Sequence, residues 1–383
     1  MAEDAVERAA RTRLQDASAG SLVEPPPATA AHSAHHDEED MPRVALTRRR
    51  VILFAVFVLA SIALLYFVLP QMDGVKEAYK RVSSGDHAWL AAALVFQLLA
   101  IVSYVALFHG IHVPPGSPLT HGDSYLITMA GLAATRLFAA GGAGGVALTA
   151  WALRRSGMER REVAERMIAF LVVLYGVYVV AMVACGIGLR VGILPGEAPF
   201  GLTVVPAIIG GIAILLFGGL ALVPEDFERR IERMAPRRPR LARWLRRFAL
   251  APASMRGGIR FALHKTVHPD LAMIGAISWW AFNIAILWAA FRAFGEAPPI
   301  AVITQAFFVG MLANLLPIPG GIGGVDGGMI GALAAFGLPA GTAVLAVLSY
   351  RLFAFWLPTV PGVIAYFQLR RRVQAWRHRL TPA

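Results

Sequence analysis

Apolar residues in this chain do not alternate with polar ones. They fall into long unbroken runs separated by short polar intervals. A helix needs about 20 mostly apolar residues to cross a bilayer. Six runs meet that length: Val51 to Leu69, Ala88 to Ile111, Met167 to Leu189, Gly201 to Val223, Leu271 to Phe294 and Gly341 to Gln368. Two more apolar regions are interrupted near their middle, Ser124 to Leu153 by Gly141 to Gly145 and Ile300 to Phe336 by Pro317 to Gly328. The pattern predicts an all-α polytopic membrane bundle of about six full spans plus two broken helical hairpins.

Basic residues give the runs a direction, because cytoplasmic loops carry the excess of Lys and Arg. Arg48 to Arg50, the segment Arg154 to Arg166, the loop 224–270 with its many arginines, and Arg370 to Arg379 all belong inside on this rule. The interval Arg190 to Phe200 suits the outside. Walking the chain between these fixed points sends the first hairpin in and out by the cytoplasmic face and the second in and out by the opposite face. That is the inverted-repeat plan of transporters, and it implies a cytoplasmic (inner) membrane protein with both termini in the cytoplasm. The rival reading of either region, one ordinary span plus a surface helix, shifts the topology.

Composition sharpens the membrane reading. The chain has 383 residues, 57% hydrophobic and only 16% charged, against roughly 25% charged in soluble domains. The net charge of +12 comes from residues lying between apolar runs, so it forms no continuous face for nucleic acid. Basic loop 224–270, with Trp244, is also suited to lie on anionic lipid. Residues 1–47 read as a disordered cytoplasmic tail, 48–372 as the transmembrane domain and 373–383 as a cytoplasmic tail. His32, His35 and His36 beside the acidic run Asp37 to Asp40 read as a solvated tail rather than a metal site, and no signal peptide is expected before Val51. The single cysteine, Cys185, reads as a small buried residue. No metal or cofactor is expected.

The richest segment is Asn314-Leu-Leu-Pro-Ile-Pro-Gly-Gly-Ile-Gly-Gly-Val-Asp-Gly-Gly328. Its prolines remove donors and its glycines, among them Gly320, Gly321, Gly323 and Gly327, permit irregular backbone. Unwound backbone at membrane depth survives only inside protein or beside a wet cavity. Amides near Gly327 to Ile330, at the start of the following helix, are expected to face an anion such as a lipid phosphate. Asp326 is placed either to cap that helix or to serve function, and the two roles are compatible. In the first hairpin Arg136 is the only charge of its apolar stretch; it must line a cavity, bind phosphate or pair with Asp123 or Asp326. Gly141, Gly142 and Gly144 mark either a loop of the site or a close-packing surface. Arg351 either snorkels to the interface, holds a phosphate or pairs with Asp326. Asn314, Gln305 and Asn283 are lesser polar candidates, residues that more often make interhelical hydrogen bonds than bind ligands, and Phe307, Phe308 and Trp279 read as packed or lipid-facing.

Pro319-Gly-Gly-Ile-Gly-Gly-Val-Asp-Gly-Gly328, Gly141-Gly-Ala-Gly-Gly running on to Arg154-Arg155-Ser-Gly157, and Tyr350-Arg-Leu through Trp356-Leu-Pro358 together resemble the lysylphosphatidylglycerol synthase transmembrane-region family, flippase-like membrane proteins, over roughly residues 48 to 372. Asp326 stands where glutamate is the commoner family residue, and the first glycine motif lacks the charges many members carry there. The resemblance implies a membrane region that translocates a lipid, joined in the best-understood members to a soluble aminoacyl-transferase domain. With the chain ending at Ala383, no such domain is expected and no aminoacyl transfer.

The leading expectation is therefore a transporter for an anionic phospholipid or polyprenyl-linked lipid, not an enzyme, with Asp326, Arg136, Arg351, Asn314 and the named glycines binding substrate. One alternative is a non-catalytic membrane partner of a lipid-modifying enzyme or glycosyltransferase. Another is an intramembrane aspartyl protease built on Asp326, although only Asp123 is available as its second aspartate and the sequence before Asp326 is Gly323-Gly-Val rather than Gly-x-Gly. Oligomeric state is not legible.

Overall fold

The computed structural model describes residues 86–137, 143–221, 257–262, 270–315, 321 and 323–380. The first span at Val51 to Leu69, the N-terminal tail, most of the basic loop, and Gly141, Gly142 and Gly320 lie outside the described residues.

Every regular element among the described residues is helical. They are α1 (His87–His112), α2 (His121–Leu137), α3 (Ala143–Arg155), α4 (Arg160–Val191), α5 (Phe200–Ala221), α6 (Leu271–Phe294), α7 (Ile300–Met311), a 3-10 turn (Leu312–Leu315), α8 (Gly324–Ala335), α9 (Ala340–Arg351), a π turn (Leu352–Trp356) and α10 (Leu357–Leu380). Five stretches are long and apolar enough to cross a membrane: α1, α4, Phe200–Gly219, α6 and Ala340–Gln374. They coincide with the five expected full spans that fall inside the described residues. The two interrupted regions each hold two helices, α2 with α3 and α7 with α8, all shorter than the about 20 residues of a usual span.

Local chemistry sets the helix ends. Asp86 accepts from the Ala88 amide at 2.9 Å and Asp270 from the Ala272 amide at 3.0 Å, each capping the helix it precedes. Gly192 ends α4 with φ +81°, a conformation that disfavours any side chain.

Between helices, small residues replace the hydrophobic drive that lipid removes. A Cβ on Gly275 of α6 would stand 2.6 Å from the Leu107 nitrogen and the Ser103 oxygen of α1, and one on Gly110 would stand 2.9 Å from the Ala272 nitrogen. The α1–α6 contact is thus backbone against backbone at both positions. Gly310 of α7 meets the Met329 nitrogen of α8, and Gly145 of α3 meets the Gly131 oxygen of α2. Gly145 also faces Thr135 and Gly131 faces Thr149, so α2 and α3 run antiparallel.

Contacts sort the helix ends into two groups. In one, Arg166 at the start of α4 donates to the Ile111 oxygen at 2.5 Å, His109 bonds Ser124 at 2.9 Å, and Arg372 pairs with Asp123 at 2.9 Å. In the other, Asp86 donates to the Ala293 oxygen at 3.0 Å, Gly196 touches Val302, and Gly337 lies against Glu197. The start of α7 and the end of α8 therefore meet the same 190–200 interval.

Candidate functional site

Both broken pairs converge on the π turn between α9 and α10. Pro358 has no N–H, so the Ala354 oxygen loses the donor that an α-helix would supply four residues on. Arg136, one residue before the end of α2, fills that gap. Its Nη2 donates to the Ala354 oxygen at 3.0 Å and its Nη1 to the Phe355 oxygen at 2.8 Å, with Thr359 Oγ1 at 3.3 Å. Arg136 pairs with neither Asp123 nor Asp326; it holds the first hairpin to the wound-out turn through carbonyl oxygens.

The second hairpin reaches the same turn through charge. Arg351, the last residue of α9, pairs with Asp326 through Nε and Oδ1, and its Nη2 donates to Asp326 Oδ2 at 3.3 Å and to the Gly321 oxygen at 3.1 Å. The two side chains are only 11% and 17% exposed, so Arg351 turns inward rather than snorkelling. Breaking such a sheltered pair by removing one partner costs about 3–5 kcal/mol.

Asp326 is the third residue of α8 and caps the helix from there: Gly323 occupies the N-cap position and donates its amide to Asp326 Oδ2 at 2.9 Å. The Gly327 amide already donates to the Gly323 oxygen at 2.9 Å, so it is spent within the helix. Asn314 leans on Gly321, whose added Cβ would come within 2.5 Å of its Oδ1, and is otherwise exposed. Gly144 lies within α3, away from any contact with the charged cluster that the structure records.

Phe355, which nothing in the sequence marks as part of the site, joins the two halves. The Arg351 and Arg136 guanidinium carbons lie 4.8 and 5.2 Å from its ring centre, an arrangement in which the ring face favours a cation. The Tyr350 hydroxyl donates to Asn283 Oδ1 at 3.2 Å. The signal for this hub was Pro358, four residues after Ala354. The same device recurs where Pro206 deprives the Leu202 oxygen of its donor and Gln305 Nε2 supplies one at 2.7 Å.

Asp123 is elsewhere. Burial favours its neutral form, but hydrogen bonds from Thr120 and the Arg372 guanidinium outweigh burial and hold its carboxyl below the usual carboxylate value. Its partner Arg372 and Asp326's partner Arg351 are separated along the α9–α10 stretch by roughly 30 Å of helix at 1.5 Å per residue. The two aspartates are therefore not a protease dyad, which requires carboxyls in direct contact.

A family model described as the lysylphosphatidylglycerol synthase TM region matches residues 52–362. Two proteins of Methanothermobacter thermautotrophicus, each named a UPF0104 membrane protein, are 33% identical to the chain over 91 and 87 residues, 24% and 22% of this chain and 26% of each relative. A UPF0104 membrane protein of Methanocaldococcus jannaschii is 28% identical over 104 residues, 27% of this chain and 31% of the relative. The matches thus span between a quarter and a third of the length of these curated relatives.

Proposed function

The chain belongs to the lysylphosphatidylglycerol synthase transmembrane-region family, and on that footing we propose that this multi-pass membrane protein moves an anionic lipid or lipid-linked headgroup across the cytoplasmic membrane without chemical change. The observation that carries the reading is the convergence of both broken helix pairs on one π turn. Arg136 from one pair and Asp326 from the other are tied to adjacent turns of the α9–α10 helix.

Charged groups at membrane depth are costly and mark pathways, and π turns concentrate at functional positions. Each broken pair re-enters the face it leaves. The support is that the start of α7 and the end of α8 meet the 190–200 interval, whereas Asp123 at the start of α2 meets Arg372, and Arg166, in the second turn of α4, meets Ile111 at the end of α1. On the rule that basic residues stay inside, the Arg166 and Arg372 contacts belong to the cytoplasmic side. Hairpins of opposite polarity allow the two halves to rock about a fixed central site. Arg136 and Arg351 supply the positive field for phosphate, and Asn314, Gly321 and Gly323 lie beside it.

The test is transbilayer movement of fluorescent phospholipids and a polyprenyl phosphate in liposomes holding the purified protein, beside the Asp326→Ala variant. Movement that falls at least tenfold in the variant, about 1.4 kcal/mol on the barrier, supports transport. No movement of any probe by the wild-type protein opposes it and favours a role as the membrane partner of a lipid-modifying enzyme.

A further inference from the structure

Three ionised side chains meet at the π turn, and their charges do not cancel. Asp326 neutralises Arg351, while Arg136 meets only carbonyl and hydroxyl oxygens and no carboxylate among the described residues. Among the described residues one excess positive charge remains in a setting where an uncompensated ion is expensive.

Asp326 presents to Arg351 what a phosphate would present: two oxygens, one towards Nε and one towards Nη2. It also has somewhere else to stay. Its Oδ2 accepts from the Gly323 amide at 2.9 Å, and it sits in the first turn of α8, where the helix dipole favours a negative charge. A carboxylate leaving Arg351 is therefore not stranded.

We propose that Asp326 is a built-in competitor for the transported anion: a phosphate ester displaces it from Arg351 beside Phe355 and Arg136, and the return of the carboxylate to Arg351 ejects the phosphate. The proposal rests on the transport reading for the nature of the ligand, but it makes a separate claim, that Asp326 lowers the site's affinity for anions.

Binding to the purified full chain in detergent tests it without any transport step. The probes are short-chain phosphatidylglycerol, sn-glycerol 1-phosphate and, as a zwitterionic control, short-chain phosphatidylcholine. Asp326→Asn keeps an oxygen for the Gly323 amide and removes the charge. It is expected to tighten binding of the anionic probes by about tenfold, the scale of one charge-assisted hydrogen bond regained by the ligand, with phosphatidylcholine unchanged. Adding Arg351→Gln should cancel the gain. Tightening for phosphatidylglycerol alone assigns the exchange to lipid-borne phosphate, and tightening for both anions assigns it to the headgroup. Unchanged or weaker binding of both anions overturns the proposal.

A second measurement needs no variant: carbodiimide modification of Asp326 in wild-type protein, read by peptide mass spectrometry, should rise at saturating phosphatidylglycerol and not at saturating phosphatidylcholine. Protection by phosphatidylglycerol, or no change, overturns the competitor role even if the variants fail to fold. Higher affinity in a variant of a protein that moves no lipid leaves the exchange standing and removes the transport reading. Transport with unchanged affinity does the reverse.

Discussion

Arg136 shows how one side chain answers two needs at once. Pro358 leaves the Ala354 carbonyl without a helical donor, and a buried carbonyl without a partner costs about 1–3 kcal/mol. A guanidinium, with its forked donors, reaches the Ala354 and Phe355 oxygens together. Lysine carries the same charge but is a single point donor. Arg136→Ala should therefore lower unfolding stability in detergent by about 1–3 kcal/mol, and Arg136→Lys should recover only part of the loss. Full recovery by lysine would mean that charge alone matters and that the carbonyl contacts are incidental. At this scale the sequence was informative about identity and poor about partners. Arg136, Asp326 and Arg351 stand out as charges in apolar surroundings, and the Asp326–Arg351 pair was one of the options their chemistry allowed. That Arg136 serves backbone oxygens was hidden because the orphaned carbonyl belongs to a helix 218 residues further on.

Among the elements, the helices were legible because each is a long apolar run bounded by polar or glycine residues, and lipid leaves the backbone only helix or closed barrel, whose strands are about half as long. The boundaries of the broken pairs were less so. Proline and glycine at 317–328 announce an interruption, yet they do not say that α8 begins already at Gly324 or that Asp326 falls in its first turn. Glycine served two purposes that a sequence cannot separate. Gly192 and Gly323 have positive φ, whereas Gly275 is helical and exists for contact. Gly275→Ala would place its Cβ 2.6 Å from the backbone of α1; since that backbone cannot yield as a side chain would, the α1–α6 pair must separate, at a cost of about 1–3 kcal/mol. Gly211→Ala on α5 meets nothing within 4 Å and should be neutral or stabilising by up to about 1 kcal/mol, the helix preference of alanine over glycine. Thermal unfolding of the two variants in one detergent compares them directly. Equal midpoints would show that the α1–α6 contact is looser than its backbone distances imply.

For the whole molecule, the question is which face each broken pair opens on, and the expected answer follows from charge and contacts together. The arginines argue that Arg154 to Arg166 and Arg370 to Arg372 share the cytoplasmic side, and Arg166 on Ile111 with Arg372 on Asp123 brings both ends of the α2–α3 pair to that group. The ends of α7–α8 gather instead at the 190–200 interval, Gly337 against Glu197 and Val302 against Gly196. Because the chain has one cysteine, Cys185, buried in α4, a Cys185→Ala background permits single reporters. Cysteines at Gly337 and at Ile300 should both react with a membrane-impermeant thiol reagent applied to the outside of intact cells. Cysteines at His121 and at Gly157 should react only after the membrane is opened. If the two members of either pair report opposite faces, that pair is an ordinary crossing, its halves cannot be opposed re-entrant hairpins, and the rocking arrangement about Asp326 and Arg136 loses its geometric basis. Agreement within both pairs would leave the π turn as the place where a segment entering from each side ends, which is the geometry that alternating exposure of one anion site requires.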